Sequence, residues 1–494
     1  MHPFDQKPVR AGQSQHRLGE IVCLLPLAAL LLWPVAPCAR GGVVLTTLVS
    51  FNLTNGVDPS VALVQGRDGN FYGTTALGGT NSGNGHGTVF KMTASGALTT
   101  LYSFTGTNDG DEPNGLALGT DGNLYGTTFS GGKTNYNAGI GAYGYGTVFR
   151  ISTNGVLTNL YSFANNSDGR YPEAGLVLAK DGNFYGTTVE GGLSLGDGSG
   201  TVFKVSTNGN LATLYQFPDD AAFPQAPLVQ GVDGNLYGTA PGALGCGWGF
   251  LFKVTTNGTL LWEVGFSGDC QINCGCYPQG GLVQGRDGNL YGTTGYGGIG
   301  YNEDAISPIF TGYGSVFRVT TNGTLSTLFL FGSPNGSYST DGSYSSAALV
   351  QGIDGNFYGT TQLGGANRKG TVFQVIGNNV STLVSFNGTN GWSPCGSLVQ
   401  GTDGDFYGTT IGGGAYGRGT VFQLSVPMTP AFRTVTQKGG KLTLTWSTVA
   451  GQSYQIQQKT NLTQTNWINL GTATTATNST ATTSDTIEPS SHRF

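Results

Sequence analysis

The stretch from Asp68 to Thr75, Asp-Gly-Asn-Phe-Tyr-Gly-Thr-Thr, decides how the chain is read, together with Gly-Thr-Val-Phe (87–90) and Leu-Thr-Thr-Leu-Tyr-Ser-Phe (98–104). The first string, as Asp-Gly-Asn-(Phe/Leu)-Tyr-Gly-Thr, begins again at Asp121, Asp181, Asp233, Asp287 and Asp354, and a seventh copy begins at Asp403 with Asp405 in place of Asn. Each copy is followed by Gly-Thr-Val-Phe, ending at Phe90, Phe149, Phe203, Phe373 and Phe422, with variants ending at Phe252 and Phe317. A fourth motif, Gly-Leu-Val-Gln-Gly, is cleanest over 281–285. The anchors lie 49 to 67 residues apart. Four strand-like segments per repeat, seven times over, predict a β-propeller of four-stranded blades.

The order of the motifs assigns the strands. Leu-Val-Gln-Gly is strand a, Phe-Tyr-Gly-Thr-Thr strand b, Thr-Val-Phe-Lys-Val strand c and Leu-Thr-Thr-Leu-Tyr-Ser-Phe strand d. Asp-Gly between a and b, and Asn-Gly between c and d, are hairpin turns, because glycine takes positive φ without steric cost. Glycine inside strand b, as at Gly73 and Gly126, marks a close backbone approach. A strand-d motif at Val44 to Phe51 precedes the first strand a, and the last repeat ends after strand c at Val426. The N-terminal strand is therefore expected to complete the seventh blade, closing the ring and removing its sheet edges.

These strings resemble the GloVer repeat, a bacterial tandem repeat, over roughly Val44 to Val426. The resemblance implies a propeller in an exported protein and brings no catalytic residues with it. Blade four departs from the pattern at Thr239-Ala240-Pro241 and over 249–252.

The expected layout is a signal peptide over 1–40, the propeller over 43–426, a linker over 427–433 and a small β-sandwich over 434–494. Lys7, Arg10 and Arg17 precede an apolar run from Ile21 to Ala36 that is short for a bilayer span and carries Pro26 and Pro34. Export to the cell envelope or beyond is the expectation. In the C-terminal segment, Leu442 to Trp446, Tyr454 to Gln458 and Trp467 to Leu470 alternate like half-buried strands. Leu-Thr-Trp-Ser, Gly-Gln-Ser-Tyr (451–454) and Trp467 resemble a fibronectin type III-like module, and by that resemblance the chain stops at Arg493-Phe494 before a last strand.

Composition narrows the function. Charged residues are only 10% and the formal net charge is −5, so the chain has no basic footprint for nucleic acid. Of four histidines only His86 belongs to the propeller, which argues against a zinc centre or a Ser-His-Asp arrangement repeated around the ring. A lone loop histidine is read as a solvated side chain. No metal or cofactor is expected.

The working surface is expected on the face of the long b-to-c and d-to-a loops, since a rigid scaffold concentrates function on its loops. Aromatic residues crowd those loops, Tyr338 and Tyr344 among them. Tyr136, Tyr143, Tyr145, Trp248, Tyr296, Tyr301, Tyr313, Trp392 and Tyr416 are the ligand candidates, because flat amphipathic rings suit sugar faces or partner proteins. The competing reading is that the rings pack over neighbouring glycines. Loop carboxylates, including Asp109, Asp111, Glu112, Asp168, Glu173 and Glu190, supply the acids that a glycosidase would require. Cys246, Cys270, Cys274 and Cys276 lie on two neighbouring loops and are disulfide candidates in an exported chain, with three pairings open. The sequence thus reads as a monomeric, non-enzymatic, exported propeller that binds a carbohydrate or a protein. The alternatives are a polysaccharide-cleaving enzyme using loop carboxylates and a structural envelope repeat.

Overall fold

The computed structural model describes residues 30–34, 42–80, 85–133, 144–165, 167–192, 198–218, 222–242, 249–266, 275–298, 312–332, 339–427, 432–438, 441–448, 453–458, 468–477 and 480–486. Seven antiparallel sheets, each ordered a-b-c-d, form a seven-bladed propeller. Blade one is Val64–Gln65, Phe71–Thr75, Thr88–Met92 and Leu98–Ser103. Blade seven is Val399–Gln400, Phe406–Thr410 and Thr420–Ser425, and its outer strand is Val44–Ser50 from the other end of the chain. That strand pairs antiparallel from Val44↔Ser425 to Ser50↔Thr420, so the ring closes as expected.

Each residue of the repeat has a place in the seams between blades. The Phe that ends strand d lies at a steep angle against the strand-c Phe of the next blade. All seven seams have this pair, at 5.1–5.4 Å between centroids, from Phe51–Phe90 to Phe386–Phe422. The strand-b glycine makes room for that ring: a Cβ on Gly73 would come within 2.6 Å of the tip of Phe90. The close approach is therefore by an aromatic side chain, not by backbone. The strand-b Tyr packs on the Phe or Leu one blade on, and Tyr407 meets Phe71 at 4.0 Å across the closing seam.

The two threonines of strand b do different things. The second pairs with the hydroxyl that opens strand c, as in Thr75–Thr88 and Thr410–Thr420, both 2.8 Å. Blade four replaces both partners, with Ala240 opposite Phe250. That exchange leaves neither hydroxyl stranded, so the departure in the sequence is compensated. The first threonine crosses the seam: Thr74 donates to the Asn114 carbonyl at 3.0 Å and Thr409 to that of Val61 at 3.0 Å. The strand-a glutamine crosses it too, at the turn face. Gln65 accepts from the Thr402 N–H and Gln400 from that of Ile353.

The repeated Asp is a turn former, and also an anchor. Asp68 accepts from the Asn70 N–H, the Asn70 amide, the Tyr72 hydroxyl and Lys91 Nζ. Burial pushes its carboxyl up, but the bonds from Lys91, Asn70 and Tyr72 outweigh that and hold it well below the usual carboxylate range. All seven strand-b tyrosines donate to their Asp in this way, at 2.6–2.8 Å. The Asp405 variant is buried and accepts from Gln423 and Ser425, which take over from Lys91 and its counterparts.

Downstream, Phe432–Lys438, Lys441–Ser447 and Thr480–Thr486 form one three-stranded sheet. Ser453–Gln458 and Ile468–Thr475 form another, with Leu30–Pro34 as its third strand, paired from Leu30↔Gln458 to Pro34↔Tyr454. Leu444, Trp446, Tyr454, Ile456 and Ala476 are buried together between them. Five residues of the apolar N-terminal run are thus a strand. Among the described residues no helix is long and apolar enough to cross a membrane.

Ring closure and the hydroxyl pairs can each be tested. Deleting residues 44–51 strips blade seven of its outer strand and the closing seam of Phe51. The expected outcome is aggregation, or loss of the cooperative thermal transition of the full chain, seen by light scattering and circular dichroism. For the hydroxyl pair, Thr361→Val and Thr371→Val should each cost about 1–3 kcal/mol, because each removes the buried hydroxyl–hydroxyl bond and leaves a loop carbonyl, of Leu363 or Asp341, without its donor. The double variant should cost less than the sum, as read from denaturant unfolding in a double-mutant cycle.

Candidate functional site

The d-to-a connections end at the loop face with a backbone conformation that recurs once per blade. Asp58, Glu112, Tyr171, Phe223, Tyr277, Tyr344 and Ser393 all have φ between 46° and 65°. Six of them precede proline, where a helical conformation is already disfavoured, and none is glycine. Such strain persists only where the surroundings over-determine it. In six seams the N–H of the strained residue donates across the seam, and its carbonyl accepts from its own blade except at Phe223, where Pro241 stands in the donor's place and has no N–H. Tyr171, for example, donates to the Tyr145 carbonyl at 3.0 Å and accepts from Val189 at 3.1 Å.

The cross-seam bonds define a second ring. The acceptors are Arg418 for Asp58, His86 for Glu112, Tyr145 for Tyr171, Ser199 for Phe223, Tyr313 for Tyr344 and Lys369 for Ser393. In sequence each is the residue before the glycine that opens the Gly-Thr-Val-Phe motif. Trp248 holds that position in blade four and lies outside the described residues. In the six described seams two residues are thereby brought together at the loop end of the ring, Ser199 and Ser393 with buried side chains, and their chemistry is divided. Blades three to six contribute Tyr171, Phe223, Tyr277 and Tyr344, a contiguous aromatic arc. Blades seven, one and two contribute Ser393, Asp58 and Glu112.

Around the aromatic arc, Tyr296 bridges Tyr277 and Tyr344, at 5.7 and 4.9 Å between centroids. The Tyr344 hydroxyl donates to Gln279 at 2.6 Å, and the Gln279 amide donates to Gln225 at 3.3 Å. Tyr171 stacks on Phe129 at 4.9 Å and carries Arg170 over its face, while Arg170 also holds Glu190.

Across the mouth, burial and the neighbouring Glu112 push the Asp58 carboxyl up to about 6. Burial, then the charges of Glu190 and Glu112, pushes Glu173 up to about 7. Glu112 is raised by burial and by Asp111. Glu173 reaches across two blades: with burial and Tyr296, it pushes the Tyr277 phenol up. Among the described residues no three His, Cys, Asp or Glu side chains converge as metal ligands.

Of the residues expected from sequence to bind a ligand, Tyr145, Tyr296 and Tyr313 are at the mouth. Trp392 and Tyr416 are exposed on blade seven, and Trp392 also covers Gly412, where an added Cβ would meet its ring at 2.2 Å. Tyr136, Tyr143 and Tyr301, like Trp248, lie outside the described residues, as do Cys246, Cys270 and Cys274. Cys276 is buried, and burial pushes its thiol up to about 12. His86 is not the solvated side chain expected of it: Nδ1 lies 3.0 Å from Asp111, a mostly buried carboxylate. Asp109 and Asp168 brace their loops, accepting from Tyr102 and Tyr161. Asp58, Tyr171, Phe223, Tyr277, Gln225 and Gln279 do not stand out in the sequence. Their signal is positional: the residues on either side of the loop proline, present in six of the seven repeats.

The match to known families falls on these repeats. The Gloeobacter/Verrucomicrobia repeat model covers residues 38–140, 136–340 and 305–457. The chain belongs to the Gloeobacter/Verrucomicrobia repeat family. No curated protein matches it. Solved structures of similar fold include Kuenenia stuttgartiensis hydrazine synthase, 12% identical with a TM-score of 0.50, over 76% of this chain and 99% of the other. A putative oxidoreductase (glucose dehydrogenase) from Thermus thermophilus is 16% identical with a TM-score of 0.40, over 78% and 100%. A gluconolactonase from Xanthomonas campestris is 13% identical with a TM-score of 0.38, over 80% and 94%. At these identities the likeness is one of fold alone. The divided mouth belongs to this repeat protein's own sequence.

A raised carboxyl pKa sets the sign of a stability effect. The ionised form of Glu173 is disfavoured in the folded state, so its contribution is fullest below about 4.5 and is lost as pH rises towards 7. Glu173→Gln should therefore unfold at a higher temperature than the parent at pH 8, by up to about 3 kcal/mol in stability. The two should melt alike at pH 4. A difference that ignores pH across this range would remove the carboxyl from the buried site.

Proposed function

We propose that this protein is an exported carbohydrate-binding propeller, with the sugar lying across the mouth against the aromatic arc. The observation that carries the proposal is the arc itself. One structural position, strained in the backbone and hydrogen-bonded to its surroundings, presents Tyr171, Phe223, Tyr277 and Tyr344 on four consecutive blades. Sugar faces stack on such rings, while Gln225, Gln279, Glu173 and Asp58 offer donors and acceptors to hydroxyls. Tyr277 and Tyr344 are already packed through Tyr296, so little ordering of these two rings accompanies binding. The apolar run at the N-terminus supports export.

A second reading, cleavage of the bound polysaccharide, is favoured by one observation. Glu173, pushed up to about 7 by burial and then by the charges of Glu190 and Glu112, is partly protonated at neutral pH, as a general acid must be. Release of reducing ends from a bound glycan, abolished in Glu173→Gln, would establish that reading.

Titration calorimetry with glycans selected from an array tests the first. Tyr277→Ala and Tyr344→Ala should each weaken binding about tenfold, the effect of losing one stacked ring. Tyr344→Phe, which loses only the bond to Gln279, should weaken it less. Unchanged affinity in both alanine variants would move the ligand to another surface.

A further inference from the structure

Blade seven differs from the rest of the rim. Its two aromatic residues, Trp392 and Tyr416, are 40% and 62% exposed. Backbone bonds place them in one patch. Trp392 pairs antiparallel with Gly412, at the start of the loop that carries Tyr416, and Gly413 bridges to Arg418 at its end. Ser393, next to Trp392, donates to the Lys369 carbonyl at 2.9 Å. Lys369 and Arg418 thus flank the two rings, at the ring position where other blades place Tyr145, Ser199 and Tyr313.

Neither of these two cations is committed to a carboxylate, as four others are. Lys91, Lys204, Lys253 and Arg170 each hold a carboxylate within 3.0 Å. Among the described residues, Lys369 and Arg418 have no ion pair and no side-chain hydrogen bond. Asp58 is bonded to Arg418 through the backbone alone. A ligand that brought negative charge to this rim would gain from both, while its sugar rings lay on Trp392 and Tyr416.

We infer that the rim of blade seven binds the charged groups of an acidic polysaccharide, a sugar chain bearing carboxylates or sulfates. The inference rests on the carbohydrate reading above and adds the charge of the ligand. The aromatic arc holds the chain, and Lys369 and Arg418 select its anionic substituents. Salt weakens this contribution, because both cations are on the solvated rim.

The test uses the full chain in affinity electrophoresis and calorimetry against polygalacturonate, dextran sulfate and uncharged dextran. Binding of polygalacturonate or dextran sulfate in clear preference to dextran is expected, and the stronger of the two names carboxylate or sulfate. The Lys369→Gln/Arg418→Gln double variant should lose tenfold or more in affinity for the preferred polyanion and show a flatter salt dependence. Trp392→Ala/Tyr416→Ala should weaken binding with the salt dependence kept. All four residues lie on the rim, and circular dichroism melts matching the parent would certify the fold. Dextran bound as tightly as dextran sulfate, or polyanion affinity unchanged in the charge variant, would overturn the inference and leave the carbohydrate reading standing. Polyanion binding that needs Lys369 and Arg418 but ignores Tyr277→Ala would sustain the rim and overturn the mouth. Binding of no sugar polymer at all would overturn both.

Discussion

Everything in this propeller depends on one contact made seven times: a phenylalanine from the outer strand of one blade set against a strand-c phenylalanine of the next, above a glycine that leaves it space. The contact is large, apolar and fully buried, so it contributes the hydrophobic part of each seam. Its geometry is also restrictive. The ring over Gly73 has room only because that residue lacks a Cβ, which ties the glycine of strand b to the phenylalanine of strand c. The hydroxyl and glutamine bonds that cross the same seams add direction to a contact that by itself has little.

Because the seams are rigid, the loop face can hold residues in conformations that a flexible loop would relax. The strained position ahead of the loop proline is tied to both neighbouring blades, so its side chain is aimed by the ring as a whole and not by its own loop. The repeat is uniform in its core and free at this position, and that freedom is what permits an aromatic arc on one side and a polar arc with two acids on the other. The raised pKa values of Asp58 and Glu173 have the same origin. Carboxylates from separate blades are brought near one another in a partly buried place, where each disfavours the charge of the next.

The strand assignments, the number of blades and the closure by Val44–Ser50 are legible in the chain because every repeat carries the same short-range signals. Asp-Gly turns and alternating strands are local, and seven copies remove the ambiguity of any one. Blade four is legible only in part: its Ala240 is visible as a departure, but its compensation by Phe250 requires the register of strands b and c. His86 shows the same limit. Alone in the sequence it reads as a solvated loop residue, whereas its partner Asp111 is supplied by the next blade.

The sequence by itself determined the propeller, since its turns, strands and seam residues are fixed by contacts a few residues apart or one repeat apart, and the closing contacts between the two ends of the ring copy the same pattern. Only the tertiary structure decided which side chains share the mouth. Tyr277 and Glu173 come from blades separated by about a hundred residues, yet the charge of one acts on the phenol of the other, and no local pattern records that. Their nearness is a consequence of the ring, which brings every d-to-a loop to one circle, and a chain read residue by residue carries the position of each loop but not the circle.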